Sequence, residues 1–271
     1  MFTNSNAQKM HYVLRIATAM CFIGHGAFGI ITKPVWCNYF AVFGIGRNMA
    51  YQLMPVVGMV DIIMGITMLF YPVRAVAGWL VMWGAVTASL RPVSGEPFAE
   101  MIERAGNFGV PLALLLLHGI SPFNIRSWFK RISPCATVAA ASIKQVKMCL
   151  QAVVFLLLLG HGWLNIIEKN SLLGQYTSLG FSSPAQVAHI IGIAEIGAAF
   201  MVLIRPARPL LLVFFIWKAF SELFYPHYEI FEWVERGGSY GSILALWLVV
   251  KPGVAKTKRQ FLLNLSLKPN V

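Results

Sequence analysis

Two histidines in this chain each stand between glycines, Gly24-His25-Gly26 and Gly160-His161-Gly162. An imidazole so placed can hold a proton or act as a ligand. It can equally hydrogen-bond across helices, with its glycines admitting a neighbouring backbone. Asp61 and Glu195 lie inside apolar runs. A carboxylate at mid-depth in a bilayer costs ~2.5–3.5 kcal/mol on insertion scales, so packing alone does not justify it, and proton handling is the chemistry to test. Glu103-Arg104 with Asn107, and Glu235-Arg236 with Ser239, open two further apolar runs. The Glu suits the positive end of a helix dipole; the Arg does not, and structural pairing is its simplest use. Lys218 and Glu222 are four apart, hence on one helical face. They read either as a self-neutralising pair or as a proton or anion site.

Other chemistry finds little support. His11, His118, His189 and His227 have no metal-ligand spacing, so no metal site is expected. No Ser-His-Asp order, P-loop or dinucleotide fingerprint occurs, and no catalytic residue can be assigned. A haem between His25 and His161 would need the two rings to face each other, and nothing in the spacing brings them together. The four cysteines form no C-x-x-C pair.

The elements that must position these residues are helices. The chain has 271 residues, 58% hydrophobic and 12% charged, with mean hydropathy +0.68. Soluble domains carry about 25% charged residues. Apolar stretches near 12–31, 51–70, 74–90, 104–120, 146–167, 186–204, 208–224 and 236–250 are each read as a helix suited to a ~30 Å hydrocarbon core. Continuous rather than alternating apolar text argues against a barrel. The expected fold is all-α: a polytopic membrane protein of about eight transmembrane helices. Pro72, Pro92, Pro206 and Pro226 are expected in the connections. The first run is about 20 residues long and lacks a small-residue cleavage site, so it reads as a retained helix.

The halves repeat one another. His25 and His161 differ by 136 positions, and Val57-Gly58-Met59-Val60-Asp61 and Ile191-Gly192-Ile193-Ala194-Glu195 by 134. Pro72, Arg74 and Trp83 meet Pro206, Arg208 and Trp217 at that same offset, and the Glu-Arg motifs differ by 132. Four matches in one order indicate an internal duplication. Four helices per unit, an even number, insert both copies the same way up, as two parallel-repeat four-helix bundles. Residues 1–120 form the first unit, 121–145 a cytoplasmic linker, 146–250 the second unit and 251–271 a basic cytoplasmic tail.

Charge sets the orientation. Of the 22 Lys and Arg, 15 fall on the side holding both termini, six on the opposite side and one, Lys218, within a helix. By the positive-inside rule both termini are cytoplasmic, in the inner membrane of a cell. The net charge of +12 is then a topology signal and an attraction to anionic lipid; no nucleic-acid fold signature accompanies it. Seven of the ten acids fall on the outer side, and the others, Asp61, Glu195 and Glu222, lie within helices. The polar groups of each unit therefore gather in its outer half and would form an outward-facing pocket.

Leu14-Arg15-Ile16, His25-Gly26, Gly58-Met59-Val60-Asp61 with Gly65, and Pro72-Val73-Arg74 occur in the order that resembles the DoxX-like membrane family. So do His161-Gly162, Gly192-Ile193-Ala194-Glu195 with Gly197, and Pro206-Ala207-Arg208. The chain departs from that pattern by having two units, by Asp61 in place of Glu, and by Gln151 where the first helix of the unit carries Arg. The resemblance implies a quinone-linked redox role, as the membrane part of a system with a redox partner protein. A proton-coupled small-molecule transporter and a non-catalytic membrane scaffold or assembly factor are the alternatives.

Overall fold

A computed structural model describes residues 4–119, 125–134, 138–225 and 230–250. The basic tail 251–271, Pro226 and the Ser121-Pro122 turn lie outside the described residues. The described chain is helical: α1 Asn4–Ile30, α2 Trp36–Ala41, α3 Arg47–Phe70, α4 Arg74–Val93, α5 Phe98–Glu103, α6 Ala105–His118, α7 Ile125–Trp128, α8 Ala140–Ile166, α9 Asn170–Ser178, α10 Pro184–Ile204, α11 Arg208–Ser221 with a 3-10 turn Glu222–Phe224, α12 Ile230–Glu235 and α13 Gly237–Val249. Among these residues the one β contact is an isolated bridge between Val73 and Arg131.

Four helices are long and apolar enough to cross a membrane: Asn6–Ile30, Arg47–Phe70, Ala140–Ile166 and Pro184–Ile204. Their burial is inverted relative to a water-soluble bundle. On α3, Val56, Met59, Ile63, Ile66 and Phe70 are exposed while Asp61 is buried; on α10, Ile190, Ile193, Met201 and Ile204 are exposed while Glu195 is buried. An apolar outer face with carboxylates turned inward is the pattern of a helix whose solvent is hydrocarbon.

The structure revises several expected boundaries. The run expected over 104–120 is α6, preceded by the separate short helix α5 with a break at Arg104 (φ −89°, ψ 16°). The run at 236–250 is likewise preceded by α12 and broken at Arg236 (φ −77°, ψ 7°). At each break one tighter turn replaces the α-helical step, Asn107 N–H donating to Arg104 O and Ser239 N–H to Arg236 O. Alone, α6 with 14 residues and α13 with 13 reach only ~20 Å at ~1.5 Å per residue. The links at 34–50 and 168–185 are partly helical, as α2 and α9. Pro92 lies inside the last turn of α4 rather than in a connection; the helix ends one residue later. The linker is not a free strand of chain: Arg74 bonds the carbonyls of His118, Gly119 and Ser127, and Ile132 N–H donates to Pro72 O.

The halves interlock. Helix α1 packs along α3 but also against α12 and α13 from the far end of the chain, and α8 packs along α10 and against α5 and α6. The glycines explain how close these crossings are. A methyl group added at Gly24 would collide with the backbone of Glu235, and one at Gly160 with the backbone of Glu103. Gly26 meets Gly58, Gly162 meets Gly192, and Gly106 meets Gly238, each backbone to backbone. Where rigid main chain is the neighbour, overpacking costs ~1–3 kcal/mol or more. Gly160→Ala is therefore expected to lower the melting temperature of the purified protein strongly. Gly46→Ala, where a methyl would meet nothing, should leave it unchanged. Equal melting curves for the two variants would contradict this packing.

Two short polar devices hold each first helix to the next. Arg15 donates to the carbonyl of Leu69 at 2.7 Å, at the end of α3. Gln151 donates to the carbonyls of Val202 and Leu203 at 2.9 and 2.6 Å, at the end of α10. Gln151 thus does, as a neutral donor at the end of α10, what Arg15 does at the end of α3: it satisfies last-turn carbonyls that have no helical partner.

Candidate functional site

Of the residues singled out in the sequence, Asp61 and Glu195 stand mid-helix and the others near one end of the helices, but their partners differ from those expected within each half. His25 lies between two carboxylates. Its Nδ1 is 3.3 Å from Oε1 of Glu235 and its Nε2 is 3.8 Å from Oδ2 of Asp61. Glu235 comes from the second half, brought over by the α1–α12 crossing at Gly24. Glu103, expected beside His25, instead backs onto Gly160 in α8. Asp61 is 1% exposed, and its Oδ2 has no hydrogen-bond partner. The Trp83 indole lies beside it, yet its Nε1–H is also unpartnered, being outside hydrogen-bond geometry.

The matching group in the second half is closed. His161 Nδ1 is 2.5 Å from Oε2 of Glu195, whose Oε1 is 3.3 Å from Lys218 Nζ. Asn165 donates to the same Glu195 oxygen and to the His161 carbonyl, and accepts the Tyr176 hydroxyl at 2.8 Å. Burial, with the Glu195 charge next, holds the Tyr176 phenol above its usual range, so it stays a donor. That donation fixes the Asn165 amide with its NH2 toward Glu195. The acceptor Glu195 in turn places the His161 proton on Nδ1. Lys218 and Glu222 do not pair with each other as their spacing suggested: Lys218 serves Glu195, and Glu222 serves Arg236 at 3.0 Å. Helix α11 ends at Ser221, so Glu222 turns away into the 3-10 segment.

Between the two histidine groups runs a girdle of ion pairs. Glu103 accepts from Arg104 at 3.0 Å and from Arg236 at 2.7 Å, one guanidinium from each half. Glu100 accepts from Arg104 (2.7 Å), Lys169 (2.6 Å) and Arg91 (3.3 Å). Lys33 bonds Glu232, and Arg91 bonds Glu96, which also accepts the Tyr39 hydroxyl. Burial keeps that phenol protonated well above its usual range. Each Arg at a helix break is thereby neutralised by acids of the preceding or opposite turn, which answers why a cation can stand at a helix start. Among the described residues, the inward-facing pairs draw on eight carboxylates (Asp61, Glu96, Glu100, Glu103, Glu195, Glu222, Glu232, Glu235) and six Lys or Arg (Lys33, Arg91, Arg104, Lys169, Lys218, Arg236). Two carboxylates are left for protons to neutralise, directly or through an imidazolium.

Two hollows adjoin the girdle. A cleft of about 120 Å³ in the first half is walled by Trp36, Tyr39, Phe40, Phe43 and Trp83, with His25, Arg91, Arg104, Asn107 and Glu235 at its polar end. It reaches the surface at Phe43, 63% exposed, where α3 and α4 touch only sparingly. A polar vestibule of about 760 Å³ lies between the halves, lined by Lys33, Arg91, Glu96, Lys169, Glu232 and others. Trp36, Arg91, Arg104 and Glu235 line both, and form the partition between them. The second half carries Gln175, Lys218 and Glu222, all buried, at the positions matching Tyr39, Gly84 and Ala88.

Several participants were absent from the sequence-based set: Trp36, Tyr39, Trp83, Arg91, Glu100, Lys169 and Asn165. The aromatic density of 36–43 against its counterpart near 172–179 was the available signal for the cleft.

Comparison with protein-family models, with curated proteins and with solved structures returns no match for this chain.

Proposed function

We propose that this is a membrane protein of eight crossings, built as two tandem DoxX-like repeats with both termini cytoplasmic, whose first half binds a small lipid-soluble molecule with an oxygen acceptor, of the quinone class. The observation that carries this reading is the cleft itself. Flat aromatic walls suit a flat ring, and a hollow of this order holds one ring, since ~150 Å³ accommodates benzene. Its polar end is rich in donors, the Arg91, Arg104 and Asn107 side chains, which suit a carbonyl oxygen. The opening past exposed Phe43 lets an apolar tail trail into lipid. Resemblance to the DoxX-like family points the same way, toward the membrane part of a redox system with its partner protein at the vestibule. A through-route for transport has less support. Inward of Asp61 and Glu195 lie Met68, Ala198 and Val202, all within the buried apolar core.

The test is calorimetric titration of the detergent-purified protein with a short-tailed 1,4-benzoquinone. Saturable one-site binding is expected, weakened at least about tenfold by Val57→Phe, which fills the cleft wall, because a lost ring contact of ~1.4 kcal/mol is tenfold in affinity. Ile193→Phe, on the exposed face of α10, should change nothing. Non-saturable partitioning, equal in all three proteins, would remove the reading.

A further inference from the structure

The two histidines occupy matching positions but not matching situations, and the difference assigns them different work. A neutral imidazole has one N–H to give. His25 has a carboxylate opposite each ring nitrogen, Glu235 at 3.3 Å and Asp61 at 3.8 Å, so it answers both only when it carries a second proton. His161 faces one carboxylate, Glu195, through Nδ1, and its Nε2 meets no acceptor. One proton satisfies it, and Lys218 and Asn165 already neutralise and orient that carboxylate.

Access differs in the same sense. The His25 side chain is 14% exposed, forms part of the cleft wall and lies against Trp36, with ring centres 4.7 Å apart and planes tilted by 36°. The 3.8 Å gap from Nε2 to Asp61 exceeds hydrogen-bond distance, leaving that N–H able to turn to an oxygen in the cleft. Glu235, on the Nδ1 side, borders both cleft and vestibule and so connects His25 to the polar side of the partition. The His161 side chain is 4% exposed, and it borders neither hollow.

We propose that His25 is the proton-exchanging group of the ligand cleft, donating from Nε2 to the ligand oxygen while Glu235 holds its Nδ1 proton, and that His161 is its arrested counterpart with a permanently placed Nδ1 proton. The charged and titratable groups facing His25 are Asp61 from α3 and Glu235 from α12. Arg104 and Lys33 act on Glu235, and the Cys21 thiol lies one turn inward on α1, within the field of both acids. The step is a proton transfer or hydrogen bond only: the doubly protonated ring shares or passes its Nε2 proton to the ligand oxygen and is left as the neutral Nδ1–H imidazole, still donating to Glu235, and a proton taken up at Nε2 restores it. The role rests on the ligand-binding reading above, while the asymmetry between the two histidines does not.

Two measurements test it. Deuterium exchange at the imidazole C2 position, read by mass spectrometry on the unmodified protein without ligand, should show His25 exchanging at least about tenfold faster than His161, with a pH-dependent rate. Titration with the short-tailed benzoquinone across pH should then show binding weakening by about tenfold per pH unit once His25 has lost its second proton. His25→Gln should abolish that pH dependence while retaining weaker binding; His161→Gln should leave it in place. Equal exchange at the two histidines overturns the asymmetry. Saturable binding that is independent of pH overturns the proton role and leaves the cleft reading standing. Absence of binding at every pH overturns both.

Discussion

Glu103→Gln is expected to be among the most damaging single-atom changes in this protein. Its carboxylate is 3% exposed and accepts two guanidiniums, Arg104 at 3.0 Å and Arg236 at 2.7 Å. Removing one partner of a buried pair costs ~3–5 kcal/mol, because the remaining charge is stranded where water cannot replace it. Here two cations lose a partner at once, although each keeps another, Glu100 for Arg104 and Glu222 for Arg236. The loss also falls on the junction where the two halves meet. A drop of roughly 10 °C in melting temperature is the order expected for a chain of this size, with aggregation on size-exclusion chromatography. Glu168→Gln, an exposed acid paired with exposed His189, should be neutral, since such pairs contribute little. Arg236→Gln alongside Glu103→Gln should deepen the loss, because it strands buried Glu222, whose ion-pair partner is Arg236. If Glu103→Gln melts with the unaltered protein, the girdle does not join the halves.

Lys218→Met is the second large effect, and its rescue pattern tests partner choice. Lys218 is 1% exposed, too enclosed to bring its ammonium out to the membrane surface. Its loss leaves Glu195 with His161 and Asn165 alone, a cost again of ~3–5 kcal/mol. Glu195→Gln should restore stability in the Lys218→Met background, and Glu222→Gln should not, since Glu222 belongs to Arg236. Helical spacing alone favours Glu222, so the two double variants separate the structure from the sequence pattern. Rescue by Glu222→Gln alone would overturn the placement of Lys218. Gly84→Ala, at the matching position, is not a silent control: a methyl there would stand 2.9 Å from the Asn107 carbonyl, so it too is expected to destabilise, by forcing α4 off α6.

The sequence by itself determined that the protein is helical and apolar and that its acids gather toward one end; of the eight runs read as crossings, four are long and apolar enough as helices to span a bilayer. These follow from local chemistry. Apolar text of sufficient length has few other solutions, and the depth of His25, Asp61, His161, Glu195 and Lys218 along each run follows from a fixed rise per residue. Even the close backbone approach at Gly24 and Gly160 was legible, because no other residue permits it. Only the tertiary structure decided who meets whom. His25 meets Glu235, and Arg236 meets Glu103, because α1 crosses α12 and α8 crosses α5, an exchange between halves that no spacing within a half encodes. The starts of α6 and α13 beside Arg104 and Arg236 were legible, but the short helices α5 and α12 that precede them were not, because six residues are too few to carry a helical pattern of their own. The cleft was hidden most deeply, since a hollow is made by what fails to fill it. In the first half Ala88 leaves room beside Trp36, Tyr39 and Trp83, and in the second Gln175 and Glu222 are buried where the sequence offset places the counterparts of Tyr39 and Ala88. Side-chain volume summed over elements far apart in sequence decides that difference, and it exists only once the helices have packed.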